Sequence, residues 1–569
     1  MSTQPAKMNL VILWHMHQPY YREGLAGPYQ LPWVYLHAIK DYDDMAAHLE
    51  DHPGMRVVVN FAPVLLEQLE DYAERIGAWL ARGEPMPDPL LNLLAGVEPV
   101  PAEAGARRQL VAACSRANGR HMIDPYPHYQ ALLAPFRAAG DEDDREILLE
   151  YLDEQYFLDL LTWYHLAWTS HRLKQTDLVQ RLMEKGRRFG ADDRRALLAL
   201  FRDTIASLIP RYRTLAERGQ VELSMSPWGH PIVPLLNDFN NMREAQPDAP
   251  MPEHPGYPGG VTRSRWHLRE GLATFERCFG FKPAGVWLSE GAVSDDALAL
   301  LDELGIRWTA SGEAVWHHSC LTSACDPEEM ACRRALFMPY RLNELGTRIH
   351  FRDDGLSDLI GFEYSKWHAD DAVADFIGHL ERIADSLGDD AHRHVVSVIL
   401  DGENAWEYYP ANGHYFLDAL YAKLADHPRI RPTTFADLDD VREERLSHLV
   451  PGSWVYGSFS TWIGSPDKNR AWDLLVEAKQ TYDRRIDRLA AAAREEAGRL
   501  LGVCEGSDWF WWFGDYNPAE SVNDFDRLFR LQLRTLYQLL GATPPPALDT
   551  PISHGGGAAE NAGTMRRNT

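Results

Sequence analysis

Two acidic residues, Glu290 and Asp401, each follow an apolar, strand-like run: Gly285-Val286-Trp287-Leu288 before the first and Val395-Val396-Ser397-Val398-Ile399-Leu400 before the second. Carboxylates delivered by separate strands suit the cleavage of a glycosidic bond. One attacks the anomeric carbon or activates water, and the other protonates the departing oxygen. The acid must keep its proton near neutral pH, which burial or a nearby negative charge arranges. Glu403, two residues beyond Asp401, is read as such a charge, and the apolar residues before Glu290 would fix its rotamer.

His15 and His17 lie just past the run 10–14, and their i, i+2 spacing puts both on one face of an extended segment. Two uses fit. Neutral imidazoles can hydrogen-bond sugar hydroxyls, or the His-x-His pair with a carboxylate such as Asp401 can hold a metal that activates water. A buried histidine satisfied by backbone is the bland alternative. His230 follows another short run, Val221 to Met225. His317, His318, Cys320, Cys325 and Cys332 suggest zinc, but C-x4-C-x6-C matches no common zinc spacing, and a surface insertion is the favoured reading. Trp454, Trp462 and Trp472 serve equally well as core or as ligand contacts.

The elements that must position these groups follow from periodicity. Residues 9–14, 56–61, 221–225, 284–288, 306–310, 348–352 and 395–400 read as buried strands. Helical patterns separate them, which predicts an α/β fold with a parallel sheet and right-handed crossovers. Chemistry collects at the carboxyl ends of such strands. Residues 64–215 read as a helical insertion, and Leu148, Leu149, Leu152, Tyr156, Leu160, Leu161 and Tyr164 recur at helix spacing. Residues 236–262 form a long polar loop. Beyond residue 413 helices dominate, at 415–426, 468–500 and 522–540. The Pro-, Gly- and Ala-rich residues 542–569 are expected to be disordered.

The net charge of -26 argues against nucleic acid and anionic membrane surfaces as partners. The leading segment is too short and polar for a secretory signal or a membrane span, and six scattered cysteines make no disulfide framework, so a cytoplasmic location is expected.

The segments His15-Met16-His17-Gln18-Pro19, Ser226 to Ile232, Gly285 to Glu290, Leu400 to Glu407, and Gly452 through Trp472 occur in that order. They resemble the successive motifs of glycoside hydrolase family 57, over residues 9 to about 540. The resemblance implies an incomplete (β/α)7 barrel with helical insertions over 8–413, followed by an α-helical C-terminal domain over 414–541 that completes the cleft. It implies retaining chemistry on α-glucans or maltodextrins, at α-1,4 linkages with α-1,6 linkages as a further target, with Glu290 as nucleophile, Asp401 as general acid/base, and no catalytic metal or other cofactor. Its substrate contacts fall on His15, His17, His230, Trp287 and Trp406, and extend to Arg352, Trp454, Trp462 and Asp508. The family spans α-amylases, amylopullulanases, 4-α-glucanotransferases, branching enzymes and an α-galactosidase. The Gln18 of His-Gln-Pro departs from the branching-enzyme form, and the motifs around Glu290 and Asp401 look most like the amylase and amylopullulanase group. The competing expectations are a 4-α-glucanotransferase, a metal-dependent carbohydrate hydrolase and a non-catalytic glucan-binding protein.

Overall fold

In the computed structural model, which describes residues 7–139 and 142–557, the strand β1 (Met8–Met16) is the hub. All nine of its residues are buried, as expected of an apolar run covered on both faces. It pairs in parallel with β7 (Val395–Asp401) over its length and with β2 (Val57–Phe61) over its second half. β3 (Val221–Met225) continues the sheet beyond β2. Parallel bridges from Met225 to Val286 and from Gly285 to Trp308 carry the arrangement on to β4 (Trp308–Ser311). The expected strand at 284–288 is thus present as bridges rather than a ladder. β6 (Arg348–Phe351) lies parallel to β4, and Asp353 N donates to Ser397 O of β7 at 2.8 Å.

Three short strands differ from expectation. β5 (Tyr340–Leu342) runs antiparallel to β6, and β9 (Glu444–Leu446) pairs with β5. β8 (Ile430–Pro432) pairs with the start of β1. Residues 430–432 and 444–446 therefore belong to the sheets, although the sequence beyond 413 reads as helical.

Helices from Pro63–Arg82 to Ala191–Glu217 fill the interval between β2 and β3. The helical pattern around 148–164 is broken in the structure. One helix ends at Tyr151, and Asp153 caps the next, Glu154–Ala167, by accepting from Tyr156 N at 2.9 Å. The expected helix at 468–500 is likewise two, Pro466–Arg485 and Ala491–Cys504. Among the described residues no helix is long and apolar enough to cross a membrane.

The expectation of disorder over 542–569 is corrected for 542–557, and 558–569 lie outside the described residues. The tail is held by polar anchors rather than by a large apolar face. Asp526 accepts from Ile552 N and Ser553 N, Ser553 Oγ accepts from Gly514 N, and Leu548 is buried.

Gly285 is where the strand succession is tightest. A Cβ there would stand 1.8 Å from the Trp308 indole, whose Nε1 is tied to Glu222 at 2.6 Å and cannot retreat. Gly285→Ala is expected to lower the unfolding free energy by about 3 kcal/mol, read by urea denaturation. An unchanged midpoint would contradict this account of the β3–β4 junction.

Candidate active site

Parallel register sets His15 beside Asp401, at the carboxyl ends of β1 and β7. His15 Nδ1 lies 2.7 Å from Asn60 Oδ1 of β2, and Asn60 Nδ2 donates to Ser224 Oγ of β3. With its amide nitrogen so engaged, Asn60 presents its oxygen as acceptor, so His15 carries its proton on Nδ1. Its Nε2 is left as a bare acceptor with no protein partner. Burial, with His17 nearby, lowers the His15 pKa to about 3. His17 Nε2 lies 2.8 Å from Asp508 Oδ1 and donates to that carboxylate. His230 stacks on His17 with ring centroids 3.8 Å apart, and burial holds it far below the usual imidazole range. Its backbone is left-handed, and its Nδ1 lies 3.0 Å from Ser507 Oγ and 3.9 Å from Glu290 Oε1.

Glu290 also adopts a left-handed backbone, at φ 60°. Such conformations cost energy in residues other than glycine and persist where their surroundings enforce them. Here the clasp is Trp454. Its Nε1 donates to Glu290 Oε2 at 3.0 Å, and its backbone N donates to Glu290 O at 3.1 Å. Trp287 packs edge-on against the Trp454 ring at 5.1 Å, and the Arg352 guanidinium lies over it at 4.9 Å. Arg352 is fixed in turn by Asp354 at 2.6 Å and by the Ile399 carbonyl at 3.1 Å.

Asp401 accepts from Asn404 Nδ2 at 2.9 Å. Burial raises its pKa to about 6, and the Asn404 hydrogen bond, His17 and Arg352 oppose the rise. This corrects the expected role of Glu403. Desolvation is what lifts Asp401, whereas Glu403 is itself pushed well above the usual range, first by burial and then by the charge of Asp401. Glu403 Oε1 accepts from His17 N at 3.0 Å and Gln18 Nε2 at 3.4 Å, so it joins the turns after β1 and β7.

These groups meet in a cleft of about 360 Å³, the size range of small-molecule sites. Glu290, Asp401, His15, His17, Arg352, Trp454 and Asp508 all line it. His230 and Trp287 stand fully buried just behind them. Trp406 and Trp462, expected as contacts, do not reach the cleft. Trp406 Nε1 donates to Gly402 O at 2.8 Å and braces the turn after β7, its ring against Trp14, while Trp462 is wholly buried beside Trp511. Lining residues that sequence reasoning missed include Trp33, Lys40 and Trp168, along with Trp511 and Trp512 of the aromatic stretch at 509–512. The stretch is positioned by Lys468, whose buried ammonium donates to the carbonyls of Thr461, Phe510 and Phe513 at 2.6–3.0 Å.

Ligand atoms of His17, His230 and Asp508 lie within 4.8 Å of one another. The arrangement does not suit a metal. The two imidazoles are stacked with 19° between their planes, so their lone pairs point along nearly parallel planes. One ion cannot lie in both planes at the roughly 2 Å of a metal–nitrogen bond. Among the described residues His317, Cys320, Cys325 and Cys332 do not converge as a ligand set.

The profile described as "Glycosyl hydrolase family 57" matches residues 11–448. The chain belongs to that family. No curated protein sequence is significantly similar to it. Solved structures that share the fold include three enzymes. A family 57 branching enzyme from Thermococcus kodakaraensis is 15% identical, with 94% of this chain and 90% of that chain covered and a TM-score of 0.54. A branching enzyme from Pyrococcus horikoshii is 16% identical, with 99% of each chain covered and a TM-score of 0.53. The α-amylase AmyC from Thermotoga maritima is 12% identical, with 94% and 97% covered and a TM-score of 0.53.

The raised pKa of Asp401 has a stability consequence. The folded value, about 6, exceeds the 3.8 of an ordinary aspartate. The proton's stabilising share is therefore complete below pH ~4 and lost as pH rises through ~6. Asp401→Asn abolishes that loss. The variant should be more stable than the wild type at pH 7 by up to about 3 kcal/mol, with the advantage vanishing near pH 4. Denaturant midpoints at the two pH values check this; equal differences at both would contradict it.

Proposed function

We propose that this family 57 enzyme is a retaining glycoside hydrolase that cleaves α-1,4 linkages of α-glucans or maltodextrins. The observation that carries the reading is the unequal pair in one cleft. Glu290 is clasped by Trp454 in a strained backbone, whereas Asp401 is buried with its pKa lifted to about 6. Glu290 attacks the anomeric carbon while Asp401 gives its proton to the glycosidic oxygen. Asp401 then takes a proton from the water that releases the sugar from Glu290. The bare Nε2 of His15 accepts a hydrogen bond from a sugar hydroxyl, Nδ1 of His17 offers a second polar contact, and His230 holds its place behind them. Arg352 orients Trp454 and lowers the charge cost at Asp401. Trp454, Trp511 and Trp512 offer apolar surface to sugar rings.

On this reading the succession β1, β2, β3, 284–288, β4, β6, β7 is an incomplete (β/α)7 barrel over 8–413. Residues 414–541 supply the helical wall that brings Asp508, Trp511 and Trp512 to the cleft. β8 and β9 are that part's return contributions to the sheets.

Incubation with maltoheptaose, with products separated by size, tests the proposal. Only shortened chains are expected. A ladder with longer products would instead mean that a sugar hydroxyl resolves the intermediate, as in a 4-α-glucanotransferase. Glu290→Gln is expected to lower turnover by at least about 10⁴-fold with maltoheptaose binding kept, and persistent turnover would overturn the nucleophile assignment.

A further inference from the structure

The cysteines of the 317–332 stretch have no part in the cleft, yet two of them are brought together by the backbone. The helix Glu313–Thr322 ends with Ser323 as its C-cap, and Ala324 takes a left-handed φ of 54°. Cys325 N then donates to Cys320 O at 3.1 Å. This is the six-to-one closure of a Schellman motif, in which the third-last position and the second residue past the cap make a side-chain contact, usually an apolar one. Here both positions are cysteine. Their Sγ atoms are 2.7 Å apart, and both are free thiols.

We propose that Cys320 and Cys325 are a reversible disulfide-forming pair, oxidised by low-molecular-weight disulfides of the glutathione type. The sulfurs need to approach only from 2.7 Å to the ~2.05 Å of a disulfide bond. Cys325 is half-buried and Cys320 buried, so the reagent meets Cys325 first. The Cys325 thiolate attacks one sulfur of the small disulfide, breaks its S–S bond and expels one thiolate. The Cys320 thiolate then attacks the Cys325 sulfur and expels the second. The protein pair loses two electrons and two protons, and the reagent is reduced to two thiols. Burial raises both thiols, so the exchange quickens as pH rises.

The link would staple the turn that steadies the approach to Trp454. Val450 N donates to Ser319 Oγ at 2.9 Å, Ser447 N donates to Ser323 Oγ at 3.1 Å, and both serines flank Cys320. Cys332 stands apart, exposed, with its sulfur against Glu329 O.

The test is thiol mapping of the full folded chain after oxidised glutathione, followed by alkylation and cleavage before Asp326, which separates Cys332 from the pair. The fragment holding Cys320 and Cys325 is expected to lose two hydrogen masses and to resist alkylation until a reductant is added. Cys325→Ser should abolish that mass loss. The proposal is overturned if both thiols stay alkylatable on unfolding, if they carry separate glutathione adducts with no link, if Cys325 joins Cys332, or if the mass loss survives in the Cys325→Ser chain.

Discussion

The site depends on one constraint, the parallel pairing of β1 with β7. The pairing runs from Asn9 opposite Val395 to His15 opposite Asp401 and ends with Gly402 N donating to His15 O at 2.7 Å. Both strands are buried throughout, so their polar ends emerge together from a water-poor core. That location raises Asp401 and Glu403 and lowers His15. A shift of register by one residue would turn the side chains of one strand to the opposite face and separate His15 from Asp401. Glu403 reinforces the pairing by accepting from His17 N across the two strand ends.

The second half of the site is built differently. Glu290 follows a segment held by bridges rather than a ladder, so its placement relies on loops. Trp454 grips it by side chain and backbone, and the Trp454 loop is backed by the helix Glu313–Thr322, close enough that Gly312 could not carry a Cβ without meeting Trp454 at 2.7 Å. Asp401 is thus set by a sheet and Glu290 by a clasp. This division suits the proposed roles, a proton shuttle that must be desolvated and a nucleophile that must be aimed.

Much of this was legible in the sequence for a physical reason. Continuous β-branched runs such as 395–400 report burial on both faces, and the polar residue ending each run marks where the strand leaves the core. What the runs did not carry was missed. β5, β8 and β9 are three residues each and contain arginine or glutamate, and distant strands supply their pairing. Trp33 and Trp168 sit among helix residues whose spacing is that of any packed helix. Trp406 and Trp454 look alike as motif tryptophans. They differ in what their Nε1 meets, a Gly402 carbonyl for one and the Glu290 carboxylate for the other. The tail beyond 542 has little to bury, and its order comes from Asp526, a helix residue with no sequence mark of that task.

The central claim is that Glu290, not Asp401, forms the bond to the sugar. Trapping with a fluorinated α-glucosyl fluoride that slows release of the glycosyl-enzyme, followed by peptide mass mapping, tests it most directly. A single added sugar is expected on the peptide carrying Glu290. A label on Asp401 or on any other residue would contradict it.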